Sequence, residues 1–174
     1  MSLKFKYKLK SKANQGSSMV EVIVSLFILA VGLLGALSMM VNGQKSNQVA
    51  LFGTEAYLIA GEMADRILAY DDLDTGADNS NYDGIDTTAL PAAAPGCIAA
   101  GCDRLAQVQY DAWEWGDALS RRLPSGRGLI AYDFGVGVYT VTVMWDSDRT
   151  GVQGTGCSGN SNVDLACYQL EVML

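Results

Sequence analysis

Histidine is absent from the 174-residue chain, and with it the side chain most used as a general base, proton shuttle or metal ligand near neutral pH. Proline is scarce as well: Pro91, Pro95 and Pro124 are all there is, so nothing of that kind breaks a helix earlier in the chain. Positive charge is thin. Five of the twelve Lys and Arg residues fall within the first twelve positions, leaving seven against nineteen Asp and Glu, a balance near −12 in the remainder. So acidic a body is a poor match for nucleic-acid phosphates, whose binding needs cations that displace counterions. No GxGxxG opens a helix and no GxxxxGK[ST] occurs, which removes the common nucleotide-binding signatures. No nucleophile stands beside an activating base. These absences point away from an enzyme: no catalytic residue, metal ligand or cofactor is assigned.

What is present is concentrated at one junction, Gln15-Gly16-Ser17-Ser18-Met19-Val20-Glu21. Before it lies a leader with Lys4, Lys6, Lys8, Lys10 and Lys12 and no acid. After it, Val22 to Val41 reads VIVSLFILAVGLLGALSMMV, and no charged residue appears between Glu21 and Lys45. A run of that length crosses a hydrocarbon core as a helix. The lysines hold the N-terminus on the cytoplasmic side, so the chain beyond Val41 lies across the membrane. A secretory signal fits less well: its apolar region is shorter, and the best small-residue cleavage position, Gly16, precedes the run rather than following it. Glu21, at the mouth of the run, carries a charge that needs a partner.

A basic leader, Gly16, four residues, Glu21 and then about twenty apolar residues together resemble the N-terminus of a type IV prepilin. The resemblance implies cleavage by a prepilin peptidase between Gly16 and Ser17, N-methylation of the new N-terminus at Ser17, and a role for Glu21 in subunit assembly. Ser17 stands where the family commonly has Phe or Met.

Beyond the run, Val49, Phe52, Ala56, Ile59, Met63, Ile67 and Tyr70 step by three and four, extending the helix toward Tyr70 with Gln48, Glu55 and Glu62 facing away. From Ser17 to Tyr70 such a helix measures about 80 Å. Glycines from Gly32 to Gly43 serve either bending or close packing in the membrane. The following DDLDTGADNSNYDGIDTTALPAAAPG has no period and reads as a solvated acidic loop. Asn79, Asn81, Asp83 and Gly84 imitate the start of a calcium loop, but Leu90 sits where the bidentate Glu belongs.

Cys97, Cys102, Cys157 and Cys167 form an even set outside the cytoplasm and read as disulfides. They allow three connectivities, of which neighbour pairing is favoured because the closures are short. Their spacing, without histidine, fits no common zinc pattern.

Asp103 caps a second helix in which Leu105, Val108, Ala112, Trp115, Leu119 and Leu123 recur before Pro124. Trp113 and Trp115 are expected in the core, and Arg121, Arg122 and Arg127 cluster at its end. The segment YDAWEWGDALSRRLPSGRG, Tyr110 to Gly128, resembles its counterpart in PilV-type minor pilins. Strands follow at 128–134, 137–145 and 166–174, each alternating apolar and polar residues over part of its length.

The fold class is α+β: a long N-terminal helix, transmembrane in its first half, packed on an antiparallel sheet, with a second helix before the strands. The organisation expected is a leader over 1–16, a transmembrane half-helix over 17–43, an amphipathic half over 44–70 and a periplasmic head over 71–174. The resemblance implies a minor pilin acting in initiation or at the tip of a type IV pilus. Its implied partners are prepilin peptidase, other minor and major pilins, the inner membrane and a pilus-tip adhesin. The alternatives are a type II secretion pseudopilin and, behind it, an anchored periplasmic binding protein or enzyme.

Overall fold

The computed structural model describes residues 18–71, 81–97, 99 and 101–173. Helix α1 covers Met19–Asp71, a 3₁₀ turn Thr87–Ala89, helix α2 Arg104–Arg122, and strands β1, β2 and β3 cover Arg127–Asp133, Val138–Trp145 and Ala166–Met173. This is the α+β arrangement read from the sequence. Two compact units meet within α1, at Lys45 and Ser46.

Up to Leu51 every described residue of α1 is exposed, and the first buried position is Ala56. Ala56, Ile59, Ala60, Met63, Ala64 and Ile67 then form one covered stripe, with Phe52 and Tyr70 packed at its ends. Val49 has the same helical phase but remains exposed. Periodicity marks a face that can be covered; the stripe is realised only where other elements reach it.

Helix α2 opens on Asp103, whose carboxylate accepts the Ala106 N–H at 2.7 Å and satisfies a donor the first turn leaves free. It buries Val108, Asp111, Ala112, Trp115 and Leu119, and the Leu123 N–H closes its end on the Leu119 carbonyl at 3.0 Å. Leu105 lies outside the core. Arg121 and Arg122 occupy the last turn, favourably placed for the helix dipole.

The sheet is antiparallel in the order β1-β2-β3. Ile130, Val141 and Leu170 stand opposite one another, as do Gly128, Val143 and Tyr168. The alternation of β2 places Tyr139, Val141, Val143 and Trp145 on the face that joins the α1 stripe, α2's Trp115 and Leu119, and Val172 in a single core. Burying each such side chain stabilises by about 1.5–3 kcal/mol. A Cβ at Gly128 would run into the Trp115 ring and the Leu119 side chain, so the close approach of α2 to β1 requires glycine there.

The two edges of the sheet are finished differently. Along β1, Ile130 donates to the Ile85 carbonyl at 2.9 Å and accepts from Gly84 at 3.0 Å. Its neighbours Gly128 and Tyr132 donate to Thr87 Oγ1 and Asp83 Oδ1. Along the far edge, β3, no backbone hydrogen bond reaches beyond β2 among the described residues, and the linker touches it through the Cys157–Cys167 disulfide.

Candidate functional site

Gly16 and Ser17 lie outside the described residues. Glu21 is in the first turn of α1, where a negative charge is favourable to the helix dipole. The turn is closed by the Glu21 and Val22 N–H groups on the Ser18 carbonyl, at 2.8 and 3.3 Å. Ser25 donates its hydroxyl to the Glu21 carbonyl, which keeps that polar group within the helix. From Val22 to Val41 the surface is uncharged and mostly apolar side chain, including Phe27, Ile28, Leu33, Leu34 and Leu37, all exposed. By length and composition α1 can cross a membrane. Chemically this is a surface for lipid or for other helices, with one carboxylate at its entrance.

The head holds a polar network that the sequence reading passed over. Asp111 is only 5 % exposed, on the core side of α2. Its Oδ1 accepts from Arg66 at 2.8 Å and Gln107 at 2.9 Å, and its Oδ2 accepts from the Tyr82 hydroxyl at 2.8 Å. Arg66 also reaches Glu114 at 2.7 Å. Burial works against the Arg66 charge, but Glu114 and Asp111 outweigh it and hold the guanidinium above its ordinary range. Burial, reinforced by Asp111, pushes the Tyr82 phenol far up, so it stays a donor at any physiological pH. The network joins α1, the segment at Tyr82 and α2, and an open cleft of about 340 Å³ lies against it. With every carboxylate oxygen of Asp111 already bonded, the arrangement is a clamp rather than a catalytic pair.

Among the described residues no group of His, Cys, Asp and Glu is placed to hold a metal. Asp83, from the calcium-like text, spends Oδ1 on the Tyr132 N–H; Asn79 lies outside the described residues. The cysteines are paired as Cys97–Cys102 and Cys157–Cys167, with Cα atoms 4.7 and 5.5 Å apart. The second bridge ties the turn-rich linker to β3. Within that linker Asp146 accepts the Thr150 and Gly151 N–H groups, and Asp164 those of Gly156 and Ser158. The Ser158 hydroxyl and the Gly156 N–H hold Asp164 below the ordinary carboxylate range.

The two tryptophans of α2 part ways. Trp115 is in the core and donates to the Ile59 carbonyl at 3.2 Å. Trp113 is half-buried instead, with its ring 6.3 Å from that of Tyr110. Neighbours two apart on a helix point about 200° apart, so only one of them can face the core. The three arginines read as one cluster divide between the last turn of α2, Arg121 and Arg122, and the start of β1, Arg127, and they serve separate partners. Arg122 pairs with Glu55 and Glu62 of α1, Arg127 with Asp86, and Arg121 with Asp117.

Residues 11–37 match the family model of the prokaryotic N-terminal methylation motif. That stretch contains Gly16, Ser17, Glu21 and Val22 to Leu37 of the apolar run, and with the α+β head it supports reading the chain as a type IV pilin-like prepilin. The motif implies processing by prepilin peptidase and assembly with other pilins, and the apolar helix fits a single-pass inner-membrane anchor. Neither a curated protein nor a solved structure matches the chain.

Proposed function

We propose that the chain is a minor pilin of the PilV type, a structural subunit that takes part in initiating a type IV pilus and in its tip complex. The observation that carries this reading is a coincidence in place: the methylation motif overlaps a helix long and apolar enough to cross a membrane, with its apolar side chains exposed. Such a surface suits first a bilayer and then neighbouring helices in a filament. The Tyr110–Gly128 text supports the PilV-type assignment within the broader class. The protein works through contacts rather than catalysis, with its head in the periplasm and then on the pilus.

In this reading prepilin peptidase cuts between Gly16 and Ser17, and Ser17 becomes the methylated N-terminus. Glu21 then directs docking: its carboxylate and the amine of an adjoining subunit attract each other strongly where water is excluded. Intact-mass measurement from cells with and without the peptidase tests the cut. The expected species starts at Ser17 only when the enzyme is present, and a mature N-terminus beyond Val41 overturns the reading. Glu21→Ala should leave insertion, cleavage and disulfides intact while depleting the protein from sheared pili. Normal amounts of the variant in pili would remove Glu21 from assembly. Recovery of the protein with a secretion channel instead of pili would assign it to the pseudopilins.

A further inference from the structure

The sheet has one finished edge and one open edge, and the contrast points to a binding site beyond the helix surface already discussed. The segment Asp83–Thr87 closes β1 with backbone and side-chain bonds to Gly128, Ile130 and Tyr132. On the opposite side β3 runs eight residues in unbroken register with β2. Among the described residues no backbone group of Ala166–Met173 is bonded to anything beyond β2. Open edges are ordinarily blunted by proline, lysine, a bulge or a short strand. β3, ACYQLEVM, has none of these, and its one charge is the exposed Glu171.

We propose that the β3 edge accepts an extended segment of a different polypeptide as a fourth, adjoining strand. Beyond Cys167, whose Cα lies 5.5 Å from that of Cys157, six residues offer a ladder of about 20 Å, and the added strand would lie about 4.8 Å away. Its inward side chains meet an apolar shelf. Tyr168 and Leu170 are only partly covered, and Tyr57 of α1, 56 % exposed, touches the Tyr168 ring edge-on at 5.7 Å between centroids. The incoming segment therefore alternates apolar and polar residues and carries Lys or Arg near Glu171. A second copy of this chain is the poorer occupant, because both bodies would bring a balance near −12 to the same line.

The test uses the full-length chain in detergent micelles and a fluorescent eight-residue peptide of alternating Val and Thr with one central Lys. Two control peptides replace that Lys by Glu or methylate alternate backbone nitrogens. The Lys peptide should bind and protect β3 amides from hydrogen exchange, the Glu peptide should bind about fivefold more weakly, and the methylated peptide should not bind. Glu171→Lys should invert the preference between the Lys and Glu peptides, an outcome a misfolded variant cannot produce. Absence of binding by the Lys peptide, or equal binding by the methylated one, overturns the proposal. Dimers of the peptide-free protein that the peptide disperses would give the edge to a second copy and overturn the choice of occupant.

Discussion

Helix α1 contains two regions with one backbone and opposite surroundings. Its residues from Met19 to Leu51 are uniformly exposed and mostly apolar, whereas Ala56 to Ile67 present a stripe sealed by the sheet and α2. Local propensity makes helix in both. Only the second region carries its own cover, and it alone contributes to the stability of the head. The apolar side chains of the first region are exposed, a surface that suits lipid or other helices.

The largest effect that can break this comparison comes from the stripe. Ile59→Ala should cost about 3 kcal/mol of head stability, because it empties a fully buried site. Ile28→Ala, an identical change in the exposed region, should leave head unfolding unmoved. Denaturant titration of the full chain in detergent, followed by tryptophan fluorescence, reads both. Equal losses would show that the two regions unfold together.

Asp111→Ala should come next, at about 2–3 kcal/mol, since it leaves Tyr82, Gln107 and part of Arg66 facing a site without an acceptor. The same titration checks it. Gly128→Ala should cost about 1–3 kcal/mol by forcing Trp115 and Leu119 away from β1, and a change in the near-ultraviolet dichroism of Trp115 should accompany the loss.

The smallest effect is electrostatic. Burial pushes the Asp86 carboxyl up, but Arg127 at 2.7 Å and the two donors of Thr88 outweigh it and hold the group below its ordinary range. A depressed folded-state pKa means that the stabilisation is complete above the unfolded value and disappears as pH falls through the folded one. Head stability should therefore drop on acidification below about pH 4, where unperturbed carboxylates protonate. Asp86→Asn should flatten that part of the profile, and a midpoint series across pH measures the difference. Arg122→Ala, which cuts the half-exposed pair with Glu55 and Glu62, should cost under about 1 kcal/mol, less in high salt.

Much of the architecture is legible in single residues. Asp103 and Pro124 bracket α2 because capping and the proline ring act locally. The alternation Tyr139, Val141, Val143, Trp145 selects one face of β2. What the sequence hides depends on distant partners. Asp111 interrupts an otherwise apolar face, and its burial makes sense only once Arg66 and Tyr82 arrive from elsewhere in the chain. Tyr82 itself sits in text that reads as solvated loop, yet is almost fully covered. An aromatic residue amid Asn and Asp was the available signal. Trp113 and Trp115 share composition and neighbourhood, and helical phase alone separates them. The cap on β1 by 83–87 has no periodic signature, since it is built from isolated bonds.

The order of the elements also governs when the head can form. Strand β3 comes after every other element, yet it supplies Tyr168, Leu170 and Val172 to a core begun by α1, and Cys167 to a bridge with Cys157. A chain threaded across a membrane from its anchor outward would hold the earlier pieces as an incomplete shell until these residues emerge. Closure is then a late, single event set by delivery of the tail rather than by the speed of helix formation.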